Sequence, residues 1–223
     1  AGLWHRLMRG LGYERYGAQG GDFGAGVATF MALKDPEPMI GVHLSNLEIR
    51  PYTGSGARPL SEAEKIYLER NEAFWQEEYG YKAVQSTKPQ TLGYGLVDSP
   101  VALCTWIVEK FWDWSECAGD PCNAIRRDRL LDDVMLYWLP ATGTSSIRLY
   151  WESYRRRRMD PVEVPTGVTQ FPAEMTRYPR HWVERRFTDL RYWSEPAVGG
   201  HFASLEQPEV FVDEVRAFFR MVR

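Results

Sequence analysis

"YGAQGGDFGAG", residues Tyr16 to Gly26, puts five glycines and one aspartate into eleven positions between two apolar stretches. Glycine reaches backbone angles that strain other residues and lets a neighbouring chain come close, so a crowded turn is expected here. With the residues before it, "YERYGAQGG" reads as a short strand entering a tight turn. "GAGVATFMALKDP" follows as a helix of small and apolar residues closed by Pro36. "MIGVHLS", Met39 to Ser45, is an unbroken apolar run of strand length, as in a parallel strand covered on both faces. Strand, turn, helix and strand in this order predict an α/β domain with a mostly parallel sheet.

Outward from that stretch the texture changes twice. Residues 1–12 read as an amphipathic helix with Leu3, Leu7, Met8 and Leu11 in one stripe, and not as a leader peptide. After "RPYTGSGARP", Ser61 to Tyr79 is a long charged helix whose Ser61 and Glu64 have the capping-box spacing. "SPVALCTWIVEKFWDW" is a second helix, with Ser99 as cap and Pro100 in the first turn. "IRRDRLLDDVMLYWL" and "TSSIRLYWESYRRRR" are a third and a fourth, and the Arg155–Arg158 run reads as a solvated helix end. From 159 onward α/β texture returns: "VPTGVTQFP" and "LRYWSE" are strand-like, and "SLEQPEVFVDEVRAFFRMV" is a closing helix. The expected division is residues 1–56 and 159–223 as the α/β core, with residues 57–158 inserted as an all-helical cap.

Bulk composition narrows the function classes. An apolar share of 44% and a charged share of 26% are those of a globular protein. A net charge of -3 gives no reason to expect a nucleic-acid partner. No apolar run approaches the roughly 18 residues of a membrane span. Three cysteines, Cys104, Cys117 and Cys122, suit a reducing compartment, so a cytoplasmic location is expected. Their spacing and neighbours give no metal site.

A small residue on either side of a nucleophile, between strand and helix, is the pattern of a nucleophile elbow, and here it centres on Asp22. A plain Gly-Asp turn capping the next helix reads equally from these residues. A carboxylate in that place suits displacement at saturated carbon, giving an alkyl ester on the protein. Hydrolysing the ester needs a base, and the base needs an orienting acid, in the chain order nucleophile, acid, histidine. Of His5, His43, His181 and His201, only His201, in "VGGHFAS", sits in a glycine-rich loop between a strand and the last helix. Glu174, in "TQFPAEMTRYP", follows a strand as the acid should, while Asp160, Glu163 and Glu184 compete with it.

Taken together, "RYGAQGGDFGAGVA", "YKAVQSTKPQTLGYGLVDSPVAL", "VMLYWLPATGTSSIRLYWE", "PTGVTQFPAE" and "GGHFASLEQPE" resemble the back half of microsomal-type epoxide hydrolases, in family order and across nearly the whole chain. The resemblance implies the C-terminal part of an α/β-hydrolase core with a helical cap, and an enzyme that needs no metal or organic cofactor. It places the nucleophile on Asp22, the acid on Glu174 and the base on His201. Tyr81 and Tyr150 fall on the two phenols that hold the epoxide oxygen, with Tyr79 and Tyr154 as nearby decoys. The Phe23 backbone N–H falls on an oxyanion donor, where the family more often has tryptophan. Phe23, Trp138, Trp151 and Phe171 are candidate pocket walls, although core packing explains each of the last three as well. The implied reaction is hydrolysis of an epoxide to a vicinal diol through an aspartyl ester, a detoxification chemistry. A haloalkane dehalogenase also uses an aspartate elbow, and a non-catalytic ligand-binding protein on this scaffold is the reading from a different class. The family's HGWP-type upstream motif is not in the sequence. A second polypeptide is therefore expected to supply the N-terminal half of the fold, without which the chain is expected to be inactive; a homodimer is compatible with the sequence.

Overall fold

The computed structural model describes residues 1–47, 49, 58–153 and 160–223. Tyr154 and the Arg155–Arg158 run lie outside the described residues. In chain order the elements are α1 (Gly2–Gly10), β1 (Tyr16–Gly20), α2 (Phe23–Lys34), β2 (Met39–Leu44), α3 (Glu62–Thr87), α4 (Pro89–Asp98), α5 (Pro100–Trp114), α6 (Pro121–Ala124), α7 (Arg127–Trp138), α8 (Gly143–Ser153), β3 (Thr166–Thr169), α9 (Arg180–Glu184), β4 (Leu190–Ser194), α10 (Ala203–Glu206) and α11 (Pro208–Val222). The chain divides into one unit of Ala1–Asn71 with Met159–Arg223 and a second of Glu72–Arg158.

The first unit is built on a four-stranded sheet in the order β1-β2-β3-β4, with every neighbouring pair parallel. Its middle strands are buried at every position but Ile40, which is why Met39–Leu44 carries no polar alternation. Val42, Leu44, Val168, Val183 and Phe187 form the centre of its core, packed with Ala28 and Met31 of α2. Parallel strands all present their C-terminal ends at one edge of the sheet, and the loops leaving β1, β3 and β4 there carry Asp22, Glu174 and His201.

Several elements depart from the sequence expectation. The stripe of α1 is exposed at Leu3, Leu7 and Leu11, and the buried residue of this helix is His5, which bonds the Tyr16 hydroxyl at 2.6 Å and the Met31 carbonyl at 3.1 Å. Of that stripe, Met8 packs against this unit's core. Helix α3 runs past Tyr79 to Thr87, because Gly80 lies inside the helix and the stop comes only at Pro89. The closing helix is two: Gln207 leaves helical geometry, with Pro208 restarting the chain in α11. Ser61 and Glu64 form the expected capping box, with Glu64 accepting from the Ser61 N–H at 2.7 Å and the Ser61 hydroxyl accepting from the Glu64 N–H at 3.3 Å.

The second unit is helical among its described residues, around a small core of Leu96, Leu103, Val134 and Ile147. Helix α4, unforeseen because of its two glycines, packs on α8; a Cβ at Gly93 would lie 2.6 Å from the Thr144 methyl, so glycine is what permits the contact. Helix α7 buries Leu130 and Val134, whereas Leu131, Met135 and Leu136 are exposed. No single described helix is long and apolar enough to cross a membrane; α4 and α5 pass that test of length and composition only together, across a bend of 116°.

Candidate active site

The loop after β1 is built for one side chain. Asp22 has φ 48° and ψ -124°, a conformation that costs a non-glycine residue about 1–3 kcal/mol. The turn is so tight that a Cβ on Gly20 would stand 2.1 Å from the Gly24 carbonyl oxygen. Glycine at position 20 is thus what allows β1 to fold straight back into α2. Asp22 also caps α2: its Oδ1 accepts from the Phe23 N–H at 2.5 Å. The elbow and the N-cap, two readings of one motif, are both present.

Glu174 and His201 arrive from the loops after β3 and β4, and backbone contacts fix one loop against the other. The Ala173 N–H donates to the Gly199 carbonyl at 3.1 Å, and Ala173 bridges Gly200 in parallel register. Gly199 has φ +107°, and a Cβ there would lie 2.9 Å from the Phe171 ring. The acid and the base are therefore joined through the main chain as well as through their side chains.

Three side chains converge. His201 Nδ1 donates to Glu174 Oε1 at 2.9 Å, and His201 Nε2 stands 3.4 Å from Asp22 Oδ2. The same Glu174 oxygen also accepts from the Met175 N–H at 2.9 Å, which holds the carboxylate in place. Glu174 and His201 side chains are 3% and 7% exposed, whereas Asp22 is 36% exposed. The two polar partners are sealed, and the carboxylate at the head of the line is open. Burial by itself would lower the proton affinity of His201, but the charges and hydrogen bonds of Glu174 and Asp22 outweigh it and push its pKa up to about 10.

The other histidines are engaged in the framework. His5 is bonded as described above. His43 Nε2 lies 3.0 Å from the Thr169 hydroxyl, and burial brings its pKa down to about 4. His181 Nε2 lies 2.6 Å from Glu64, a buried carboxylate that also takes Arg58 and the Trp182 indole N–H. Among the competing acids, Asp160 and Glu163 are exposed, and Glu184 is exposed and pairs with Arg180. Glu174 is the one of the four that bonds His201.

In the second unit Tyr81 of α3 and Tyr150 of α8 meet edge to face, with centroids 5.9 Å apart and planes at 83°. Tyr81 is buried and also packs on Trp114 at 5.1 Å. The Lys110 ammonium sits 4.8 Å from the Tyr81 ring centroid and pairs with Glu78 at 3.0 Å. The decoy Tyr79 is exposed. Of the residues named as pocket walls, Phe23 is partly buried beside Asp22, Phe171 is fully buried against Gly199, Trp138 packs on the small core of the second unit, and Trp151 is exposed. Sequence reasoning passed over Lys110 and Glu206. A cation one helix away from a tyrosine has no local signature, but the acid in "GGHFASLE" lies within one turn of a loop rich in backbone donors. Among the described residues no group of histidines, cysteines and carboxylates could hold a metal ion.

Comparisons with known proteins bear on the fold and on what the chain resembles. No family model matches the chain. A Stigmatella aurantiaca protein bearing the epoxide hydrolase name is 42% identical over 224 residues, which cover all of this chain and 51% of that protein. Epoxide hydrolase 1 of Sus scrofa is 35% identical over 250 residues, covering all of this chain and 54% of that protein. Among solved structures, juvenile hormone epoxide hydrolase of the silkworm Bombyx mori superposes with a TM-score of 0.87 at 29% identity, over 99% of this chain and 59% of that one. The chain spans about half the length of the curated relatives it matches. Its fold is that of the C-terminal part of an α/β-hydrolase core with a helical insertion, and it resembles the corresponding part of epoxide hydrolases.

Proposed function

We propose that this chain carries the covalent machinery of an epoxide hydrolase, which converts an epoxide to a vicinal diol through an ester on Asp22. The observation that carries the reading is a strained elbow that presents a carboxylate, where carbonyl hydrolases present a hydroxyl, 3.4 Å from a histidine held by a buried glutamate.

The chemistry follows from the charges. An epoxide carbon is electrophilic through ring strain, but its oxygen leaves only if its developing charge is met by donors. In the proposed first step Asp22 attacks carbon and the C–O bond breaks. The phenols of Tyr81 and Tyr150 are assigned the opened oxygen, which takes up one proton. One of the two phenols supplies this proton and regains one from solvent, while His201, whose pKa of about 10 makes it an imidazolium at neutral pH, releases its own proton to solvent once the ester has formed. Esterification removes the Asp22 charge, one of the two that raise His201, so the imidazole becomes a base only once there is an ester to hydrolyse. Neutral His201 then takes a proton from water, and the hydroxide adds to the Asp22 carbonyl. The Phe23 N–H, which already bonds an Asp22 oxygen, is assigned the charge that builds there. Collapse releases the diol and restores the carboxylate and the imidazolium.

Single-turnover hydrolysis of styrene oxide in heavy-oxygen water tests the reading. Label in the Asp22 peptide, with unlabelled diol from the first turnover, is the expected result; label in the diol alone means direct attack by water and overturns it.

The partner is proposed on the same terms. Strand β1 is the edge of the described sheet, and an unpaired parallel edge is a liability. The chain spans about half the length of the relatives it matches. Further strands, supplied by polypeptide outside these 223 residues, would pair with β1 and cover the exposed stripe of α1. Turnover that depends on adding such a segment supports this; full turnover by the 223 residues alone rules it out. A cytoplasmic setting is proposed from the three unpaired cysteines and is checked by fractionation.

A further inference from the structure

The loop that carries His201 is held by a residue the reaction does not itself require. Glu206 ends the four-residue α10 and is buried. One of its carboxylate oxygens accepts from the Phe202 N–H at 2.9 Å and the other from the Gly200 N–H at 3.0 Å. These are the backbone donors on either side of His201. The Glu206 N–H in turn donates to the Phe202 carbonyl at 3.0 Å, so residues 202–206 close on themselves at both ends.

The consequence for the imidazole is geometric. A side chain's direction is set by the peptide planes that flank its Cα, and here one carboxylate grips both planes. The imidazole is also tied by Glu174 on Nδ1, by Asp22 at 3.4 Å from Nε2 and by the edge-to-face contact with Phe202, at 5.0 Å and 86°. Charge-assisted bonds from two amides to a buried carboxylate are stronger than neutral ones, and losing both removes the acceptor that fixes the peptide planes on either side of His201. We propose that Glu206 is the positioning residue for His201: it aims Nε2 along the line to Asp22, and so governs hydrolysis of the covalent intermediate but not its formation. For its kinetic consequence this rests on the epoxide hydrolase reading; the geometric claim does not.

Two variants and two readouts test it. Glu206→Ala removes both acceptors, and Glu206→Gln keeps one oxygen while turning an amide donor against the other N–H. Acid-quenched mass analysis after mixing with styrene oxide follows the Asp22 ester. Formation within about 3-fold of the parent, with hydrolysis slowed about 10–100-fold and ester accumulating, is the expected outcome, on the scale of a misplacement near 1 Å. A parallel loss in both steps would mark general damage to the fold, and no loss in either would show that the clamp is idle; both overturn the proposal. Should Glu206→Ala fail to fold, Glu206→Gln decides by the same split. The second readout needs no reaction: the nitrogen-bound proton of His201 Nδ1 is followed by NMR in parent and variants. It should weaken or shift as the Gly200 and Phe202 amides begin to exchange. If those amides exchange freely while the His201 signal stays unchanged, the positioning claim fails, even if the parent forms no ester and the reaction reading has failed on its own.

Discussion

The two units hold their candidate residues by different means. In the first, Asp22, Glu174 and His201 stand on three loops at one end of a parallel sheet, each pinned by backbone bonds and by glycines that nothing larger can replace. In the second, Tyr81 and Tyr150 project from the middle of ordinary helices, and their partners are other side chains. A loop site is bought with strain and therefore leaves marks in the sequence. A helix site costs nothing locally and leaves none. The loop set should accordingly tolerate almost no change, and the helix set should fail by degrees.

The largest effects belong to the loops. Asp22→Ala should lower epoxide turnover by about 10⁴-fold or more, because no other group can form the ester. His201→Gln should lower it by about 10²–10⁴-fold through the second step alone, so the ester should persist and be visible by intact mass. The pair also tests the order of events. If His201→Gln prevents the ester from forming at all, His201 acts in the first step and the division of labour drawn above is wrong.

That division also explains what could be read from the residues alone. Gly20 announced a turn because no Cβ fits beside the Gly24 carbonyl, and the buried strands announced a parallel sheet because they lacked polar alternation; Gly24, with open space around it inside α2, carries no such demand. His201 stood out from three other histidines by its glycine neighbours, and the structure gives those three framework partners. Glu174 could not be separated from Asp160, Glu163 and Glu184, since what singles it out is a contact across 27 positions. The tyrosines came from the resemblance; helical period alone gives Tyr79 as good a claim as Tyr81. The apolar period of α1 says that a face will be covered, not by what, and the run of α3 through Gly80 was missed because one glycine costs a helix only about 1 kcal/mol.

Intermediate effects are expected from the helix pair. Tyr81→Phe and Tyr150→Phe should each slow ester formation by about 10–10²-fold, below the full cost of a lone oxyanion donor, because the other phenol remains. The double variant should lose more than either. Ester hydrolysis should be unchanged in both, which separates these residues from His201 and Glu206. A single Phe variant as inert as Asp22→Ala would mean that one phenol does all the work and that the pair is a packing contact.

The smallest effect is on stability, and it isolates the charge between the loops. His201 has a folded pKa of about 10 against an ordinary value of 6.5. A proton held more tightly when folded stabilises the protein fully below pH 6.5, and that contribution drains away as pH rises toward 10. Asp22→Ala deletes one of the two anions responsible, while the opposing effect of burial stays, so the folded pKa must fall and the window must shift to lower pH. Urea midpoints at pH 6 and pH 9.5 should therefore differ more in the parent than in Asp22→Ala. Other groups titrate over this range, but they are common to both proteins and cancel in the difference. Equal pH dependence in the two would mean that Asp22 does not hold the His201 proton. The resting imidazolium, and with it the base that turns on only after the ester forms, would then have to be given up.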